Sequence, residues 1–299
     1  MSLFSPVVLF VYNRLWHVRE TLTYLQSNQL ADQTDLIVYS DGPKNREDEK
    51  KISSVREYIR SVKGFKSVKI TEHTNNLGLS RSIIAGVTET VNTYGSVIVL
   101  EDDMVTSPYF LLYMNDALNY YKNEEKVISI HGYFYPVKTD LPQTFFLKGA
   151  DCWGWGTWKR GWDLFNPDSK ALLNEIRNRK SEKEFDINGT YAYTKMLSDN
   201  ALGKNDSWAI RWYASAFLEN RLTLYPGKSM VENIGTDSTG THCDSTEKFH
   251  VNLCENRICL SEIPVEENPH AKKALEDYFR SIRPSFFHKI INHIKSSHK

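Results

Sequence analysis

The first half of the chain alternates short apolar runs with stretches of helical periodicity. The helical stretches cover residues 15–29, 45–62, 79–93 and 108–122. The apolar runs that precede, separate and follow them cover residues 7–12, 36–40, 68–71, 97–100 and 127–130. Strands that alternate with helices in this way form βαβ units, so the chain is predicted to be an α/β protein with a mainly parallel sheet.

Polar side chains follow the first four apolar runs. In chain order they are Asn13 and Arg14, then Asp41, then residues 73–76, and last the acidic triplet Glu101, Asp102 and Asp103. In open α/β sheets, ligands bind outside the carboxyl ends of the strands. We therefore expect these side chains to converge on one crevice.

The acidic triplet is the sharpest local signal in the chain. Three consecutive carboxylates at the end of an apolar strand repel one another, and a divalent cation with oxygen ligands would relieve that repulsion. Such a cation could also bridge to a diphosphate and neutralise a departing nucleotide. The triplet alone fits a solvated strand-to-helix turn with Asp and Ser caps equally well, so both interpretations stay open.

Charge and composition exclude several classes of protein. The 37 Lys and Arg residues balance 37 Asp and Glu residues, which argues against a protein that coats nucleic acid. No apolar run approaches the roughly 18 residues that cross a bilayer, and residues 1–6 do not resemble a secretion signal. The four cysteines lack the spacing of metal ligands, so we expect reduced thiols and a cytoplasmic location.

The second half of the chain is richer in glycine and aromatic residues. A polar helical stretch over 170–184 precedes an amphipathic helix over 207–220. Residues 233–242 are rich in Gly, Ser and Thr and predict a mobile loop. A dense cluster of tryptophans consists of Trp153, Trp155, Trp158 and Trp162.

The last twenty residues carry a local excess of positive charge. Residues 280–299 contain five Lys or Arg, three His and no acid, together with apolar residues at helical spacing. This composition fits an amphipathic helix on an anionic membrane surface. A helix packed on its own domain or on a second subunit is the alternative.

The order of these motifs resembles that of the nucleotide-sugar glycosyltransferases with a GT-A fold. The chain is similar in particular to N-acetylglucosaminyltransferase I and related bacterial proteins of the glycosyltransferase family 2 type. The resemblance covers residues 5–245 and rests on segments 12–14, 75–81, 101–103, 154–158 and 205–208, together with Asp41 and a final Gly-Thr-His. It implies a nucleotide-sugar binding half (1–130), an acceptor and catalytic half (131–265) and a helical tail (266–299).

The same resemblance implies roles for individual residues on the donor side. Asp103 would bind Mn²⁺ or Mg²⁺ directly, with Glu101 and Asp102 against the sugar and ribose. Asp41 would accept a hydrogen bond from a base N–H and so select uracil. The other implied donor contacts are Asn13 and Arg14 at the uracil or phosphate end, Trp155 against the sugar, and Thr241 and His242 at the diphosphate. Arg81 and His73 are further candidate donor contacts. For these two and for His242, solvated or structural roles remain alternatives.

Asp206 is the candidate catalytic residue. Members of the family place a general base just before a tryptophan at a helix start, which matches Asp206-Ser207-Trp208 here. In an inverting transfer this carboxylate takes the proton from the acceptor hydroxyl. Asp206 also stands where an N-cap is expected, so a purely structural role is the alternative.

The implied activity is the metal-dependent, inverting transfer of a sugar from a UDP-sugar. The acceptor would be a hydroxyl of a cell-surface glycan or lipid-linked oligosaccharide, and the protein would be cytoplasmic and peripheral on the inner face of the membrane. A retaining GT-A transferase and a non-catalytic glycan-binding protein on a transferase scaffold are the alternatives. A sugar-phosphate nucleotidyltransferase is disfavoured because Tyr12-Asn13-Arg14 stands where that class has a glycine-rich loop.

Overall fold

A computed structural model of the chain describes residues 4–236 and 247–283. The strands are β1 (Val7–Val11), β2 (Asp35–Ser40), β3 (Ser67–Glu72), β4 (Ser96–Glu101), β5 (Met104–Thr106), β6 (Val127–His131), β7 (Thr144–Lys148), β8 (Trp155–Trp158), β9 (Leu222–Pro226) and β10 (Val231–Asn233). The helices are α1 (Leu15–Gln26), α2 (Arg46–Arg60), α3 (Leu79–Tyr94), α4 (Phe110–Tyr120), α5 (Lys159–Trp162), α6 (Ser169–Asn178), α7 (Glu182–Phe185), α8 (Tyr193–Ala201), α9 (Trp208–Leu218) and α10 (Pro269–Ile282). Within the described ranges, no helix is both long and apolar enough to cross a bilayer.

The prediction of an α/β protein with a mainly parallel sheet is confirmed. The large sheet has the strand order β3-β2-β1-β4-β8-β6-β9-β7, and β5 pairs with β10 in a separate two-stranded sheet. β1 pairs in parallel with both β2 and β4, and β3 extends the parallel set. The five strands and four helices predicted in the first half all form, with their ends shifted by a few residues.

The segment Trp155–Trp158, from the tryptophan cluster, forms strand β8 of the large sheet. β8 lies between β4 and β6 and runs antiparallel to both. A Cβ atom at Gly156 would come within 2.9 Å of the Met114 side chain and 3.0 Å of the Val97 carbonyl oxygen, so only glycine fits there without a shift. The Trp-Gly alternation of this segment therefore reflects a strand packed inside the sheet.

Two buried clusters cover opposite faces of the parallel strands. Along β1, Leu9 packs into the cluster that contains α1 and α4 residues, whereas Val8 and Phe10 pack into the other cluster. The second cluster includes Ile83 of α3 and Trp212 of α9. Because successive strand residues point to opposite faces, this division follows from the period of the strand. α3 and α9 thus dock on the same face of the sheet, which brings their N-termini together.

Candidate functional site

The acidic triplet lies at the carboxyl edge of the parallel strands. Glu101 ends β4 and pairs with Phe10 of β1. Asp102 and Asp103 form the turn that leads into β5, and they are only 5% and 9% exposed. The expectation of a solvated strand-to-helix turn is wrong, because the turn is buried and leads into another strand.

Backbone contacts from two sides hold this turn. Thr21 of α1 donates its hydroxyl to the Asp102 carbonyl at 2.9 Å. Ile234, just after β10, donates its amide to the Asp103 carbonyl at 2.9 Å. A Cβ atom at Gly235 would lie 2.1 Å from Oδ2 of Asp103, so the backbone after β10 rests directly on this carboxylate. The triplet is therefore enclosed by α1 and by the segment that follows β10.

The Arg14 guanidinium binds two of the three carboxylates. Its Nη2 donates to Oδ2 of Asp103 at 2.7 Å and also to Asp102. Burial alone would lower the pKa of Arg14, but the charges of Asp102 and Asp103 raise it overall. The Arg14 guanidinium thus neutralises much of the negative charge of the triplet. The sequence alone suggested a bound divalent cation for that role.

Burial and the repulsion between neighbouring carboxylates change the pKa values of Glu101 and Asp102. Burial, followed by the charges of Asp103 and Asp102, raises the pKa of Glu101 to about 8, although Arg14 opposes the shift. Burial and the charge of Asp103 raise the pKa of Asp102 to about 6, again against Arg14. Both carboxyl groups therefore hold their protons more tightly than an exposed carboxyl does, in spite of the Arg14 charge.

Two polar atoms of this cluster are buried without a partner. They are Oδ1 of Asp103, which accepts hydrogen bonds, and Nη1 of Arg14, which donates them. The described residues contain no group of three or more side chains arranged to hold a metal ion. Mg²⁺ commonly binds through one or two carboxylates together with substrate phosphates and water, so a single available carboxylate oxygen fits a cation that arrives with a diphosphate.

Asp41 is occupied by the protein itself, which corrects the prediction that it reads a base. Its Oδ1 accepts the amides of Gly42 and Leu77, both at 2.8 Å. Its Oδ2 accepts the amide of Gly78 at 2.9 Å and the Asn76 side chain at 3.0 Å. A carboxylate has about four acceptor positions, and all are used to hold the loop that leads into α3.

The residues after β1 bind a side chain that the sequence did not single out. Asn13 donates its Nδ2 to Asp48 at 2.7 Å, and the Tyr12 hydroxyl donates to the same carboxylate at 2.8 Å. The hydrogen bond from Tyr12 helps to lower the pKa of Asp48. Asp48 lies in the first turn of α2, far from Asn13 in sequence, so only the tertiary fold reveals the pair.

His73 and Arg81, the two residues for which a donor contact was left open, have different surroundings. His73 follows β3 and stacks its ring on Tyr39, with centroids 6.3 Å apart. Arg56 of α2 donates to the His73 carbonyl at 2.7 Å and to the Ser40 hydroxyl at 3.1 Å, which ties the ends of β2 and β3 together. Arg81 is exposed on α3.

Trp155 is a core residue, which corrects its predicted contact with a sugar. Its side chain is 0% exposed. The indole packs against Trp162, Trp208 and Trp212, with ring centroids 5.4–5.8 Å apart. These contacts join β8 to α5 and α9, so the cluster anchors α9 on the sheet.

Asp206 is exposed immediately before α9. Ser207 is the N-cap, since its hydroxyl accepts the amide of Ile210 at 3.3 Å. The alternative that Asp206 serves as the cap is therefore wrong. Asn205 accepts the Ser207 amide at 3.2 Å and so closes the turn that presents Asp206.

Thr241 and His242, the predicted diphosphate contacts, lie outside the described residues. The apolar residues at helical spacing near the end of the chain also lie outside them.

No family model matches the chain, and no curated protein matches its sequence. Among solved structures, it is similar to a mannosyltransferase from Pyrobaculum calidifontis in complex with GDP-Man and Mn²⁺, with a TM-score of 0.41 and 11% identity over 72% of this chain and 68% of that one. It is also similar to S. aureus TarS, with a TM-score of 0.41 and 16% identity over 76% of this chain and 36% of TarS. The likeness is distant.

Arginine residues are the main feature of the site that sequence reasoning missed or misplaced. The resemblance places Arg14 at the uracil or phosphate end of the donor; in the structure its Nη2 binds the triplet and its Nη1 has no partner. Arg211 of α9 has no role in the sequence prediction, yet it donates to the carbonyl of Asp206 at 3.3 Å and to the hydroxyl of Ser80 at 2.6 Å. The position of Arg211 four residues after Ser207, one helical turn into the predicted helix, is the signal that could have suggested it.

Proposed function

We propose that the chain is a metal-dependent, inverting glycosyltransferase that uses a UDP-sugar. The observation that carries the proposal is the pair of unpartnered atoms at the carboxyl edge, Oδ1 of Asp103 and Nη1 of Arg14. Oδ1 of Asp103 can bind a cation, and Nη1 of Arg14 can donate a hydrogen bond to an anion. A diphosphate with its cation offers both.

The donor would bind across the ends of β1 and β4. Arg14 would donate to a phosphate oxygen through Nη1 while Nη2 keeps its bond to Asp103, which is 2.7 Å long. Asp103 would hold Mn²⁺ or Mg²⁺ through Oδ1, and the bound cation would neutralise the charge of the departing diphosphate. Residues 1–130 would thus form the donor half of the site.

The acceptor would bind on the side of α9. Asp206 would take the proton from an acceptor hydroxyl as its oxygen attacks the anomeric carbon. The bond from that carbon to the diphosphate breaks, UDP leaves with the electron pair, and the configuration inverts. We propose a hydroxyl of a surface glycan or lipid-linked oligosaccharide as the acceptor, bound within residues 131–265.

A donor panel tests this proposal without knowledge of the acceptor. Purified protein with Mn²⁺ is incubated with a set of UDP- and GDP-sugars, and nucleotide release by slow hydrolysis is followed by chromatography. We expect release of UDP from one UDP-sugar, and its loss in Asp103→Ala. Absence of both binding and release with every donor would overturn the proposal.

A further inference from the structure

A hydrogen-bonded connection runs from the donor side of the crevice to Asp206 through Arg211. Arg211 lies in the first turns of α9, and its Nε donates to the Ser207 carbonyl at 3.2 Å. Its Nη2 donates to the Asp206 carbonyl at 3.3 Å and to the Ser80 hydroxyl at 2.6 Å. Its Nη1 reaches the Pro167 carbonyl at 3.4 Å. One side chain thus joins three separate segments of the chain.

Hydrogen bonds to the backbone hold the segment that carries Asp206. Asn200 of α8 donates to Oδ1 of Asn205 at 2.8 Å and to the Ser207 carbonyl at 3.2 Å, the same carbonyl that Arg211 reaches. Asn200 is itself bound by Ser169 at 2.5 Å. The position of the Asp206 carboxylate depends on how firmly this backbone is held. Arg211 and Asn200 hold it together.

The far end of the connection reaches the donor half. Ser80 lies in the first turn of α3, directly after the loop whose Leu77 and Gly78 amides bind Asp41. A path of hydrogen bonds therefore leads from the end of β2 through α3 and Arg211 to Asp206. Asp41, whose carboxylate holds that loop, anchors this path.

The geometry requires a guanidinium group. Three nitrogen atoms of Arg211 serve acceptors that lie in different directions, which the fork of a guanidinium can do and a lysine ammonium cannot. Burial lowers the pKa of Arg211, and the charge of Asp206 opposes that shift, so the two groups are close enough to interact.

We infer that Arg211 is the positioning residue that fixes Asp206 relative to the donor-binding edge. Arg211 reaches backbone carbonyls and Ser80, so it acts through Asp206 and has no chemical step of its own. The inference rests on the proposed function, because it is Asp206 as general base that needs a fixed distance to the anomeric carbon. A displacement of about 1 Å in such a group can cost about 100-fold in rate.

Arg179, which directly follows α6, offers a matched control because it contacts the same helix, α9. It donates to the Leu218 carbonyl at 2.7 Å, at the opposite end of α9 from Asp206. It also pairs with Glu175, so its loss removes comparable surface contacts. Arg179→Ala should thus reproduce any general loosening of α9 without moving the Asp206 segment.

The kinetic test compares Arg211→Ala, Arg211→Lys and Arg179→Ala with the wild type. We expect Arg211→Ala to lower kcat about 100-fold with the donor KM within about twofold, because the donor site is not altered. Arg211→Lys should remain nearly as slow, and Arg179→Ala should stay within about twofold of the wild type. Equal losses in Arg211→Ala and Arg179→Ala, or full activity in Arg211→Lys, would overturn the inference.

Amide hydrogen exchange tests the same inference independently of turnover. The Ser207 and Ile210 amides are bound within the segment, so their exchange reports how firmly it is held. We expect exchange at least about tenfold faster in Arg211→Ala and unchanged in Arg179→Ala. Unchanged exchange in Arg211→Ala would reject the positioning role even if transfer is observed. Faster exchange in a protein that transfers no sugar would support the positioning of this segment and reject the proposed function instead.

Discussion

The residues predicted for the donor side and for the acceptor side hold their carboxylates in opposite ways. On the predicted donor side, Asp41 and Asp103 are 8% and 9% exposed and bind groups of the protein itself. On the predicted acceptor side, Asp206 is exposed, and Arg211 donates to its backbone carbonyl. The first two carboxylates are thus buried, with only Oδ1 of Asp103 left without a partner, whereas the third lies at the surface.

This difference indicates what each side must do when ligands bind. A diphosphate and its cation would have to compete with, or add to, the bonds between Arg14 and the triplet. An acceptor hydroxyl would meet Asp206 without displacing a buried ion pair. Substitutions on the two sides should therefore have different signatures, with losses of stability on the donor side and losses of rate on the acceptor side.

The largest effect is expected from Asp206→Asn. This change removes the base but leaves the backbone contacts of Arg211 and Asn200 in place. We expect kcat to fall about 10²- to 10⁴-fold, as is typical when a general base is removed, with little change in the melting temperature. Steady-state transfer assays measure the rate, and Asp163→Asn serves as an exposed control. Turnover close to wild type would favour a retaining mechanism.

Arg14→Met should produce the largest loss of stability. It leaves Asp102 and Asp103 buried without their counter-charge, and loss of one partner of a buried pair typically costs about 3–5 kcal/mol. Urea unfolding measures the change, and Arg60→Met is the control because its pair with Glu72 is at the surface. Added Mn²⁺ should restore part of the stability of Arg14→Met by replacing the lost positive charge. A loss no larger than that of Arg60→Met would contradict the described ion pair.

Asp41→Ala should be the next most destabilising change. The amides of Leu77 and Gly78 would lose their acceptors, and each buried unsatisfied group costs about 1–3 kcal/mol. Asp41→Asn keeps one acceptor oxygen and should cost less. If Asp41→Asn left the free energy of unfolding unchanged but altered the choice of nucleotide base, Asp41 would be a base contact after all.

The last prediction concerns the pH dependence of stability. Because the pKa of Glu101 is raised to about 8, the native protein keeps a proton that the unfolded chain releases above about pH 4.5. Stability should therefore fall as the pH rises from about 4.5 to about 8. Asp102 contributes in the same direction only up to its pKa of about 6. In urea unfolding with a metal chelator present, Glu101→Gln should flatten the decline between about pH 6 and about pH 8, and an unaltered decline would contradict the shift.

The sequence predicted the donor-side framework well because local periodicity determines it. The apolar runs of β1 to β4 and the intervening helices each carry their own signal, and all form as expected. β8 was missed because its identity depends on β4 and β6, which come from distant parts of the chain. Gly156 is required by close packing inside the sheet, which the local sequence does not reveal either.

The concentration of polar residues at the strand ends was predictable, but the state of their carboxylates was not. The triplet indicated concentrated charge and gave no indication of its partners. Three of the four partners of the Asp41 carboxylate are 35 to 37 residues away, and the Arg14 partner of Asp102 and Asp103 is 88 and 89 residues away. Such pairings depend on how the helices dock on the sheet, so a local motif cannot reveal whether a carboxylate is available.

Calorimetric titration of UDP, with and without Mn²⁺, is the most direct test of a metal–diphosphate site at this edge. We expect saturable binding of one UDP per chain that requires Mn²⁺ and is abolished in Asp103→Ala, while Asp206→Asn binds as the wild type does. Absence of UDP binding, or binding that is indifferent to both Mn²⁺ and Asp103, would contradict the account.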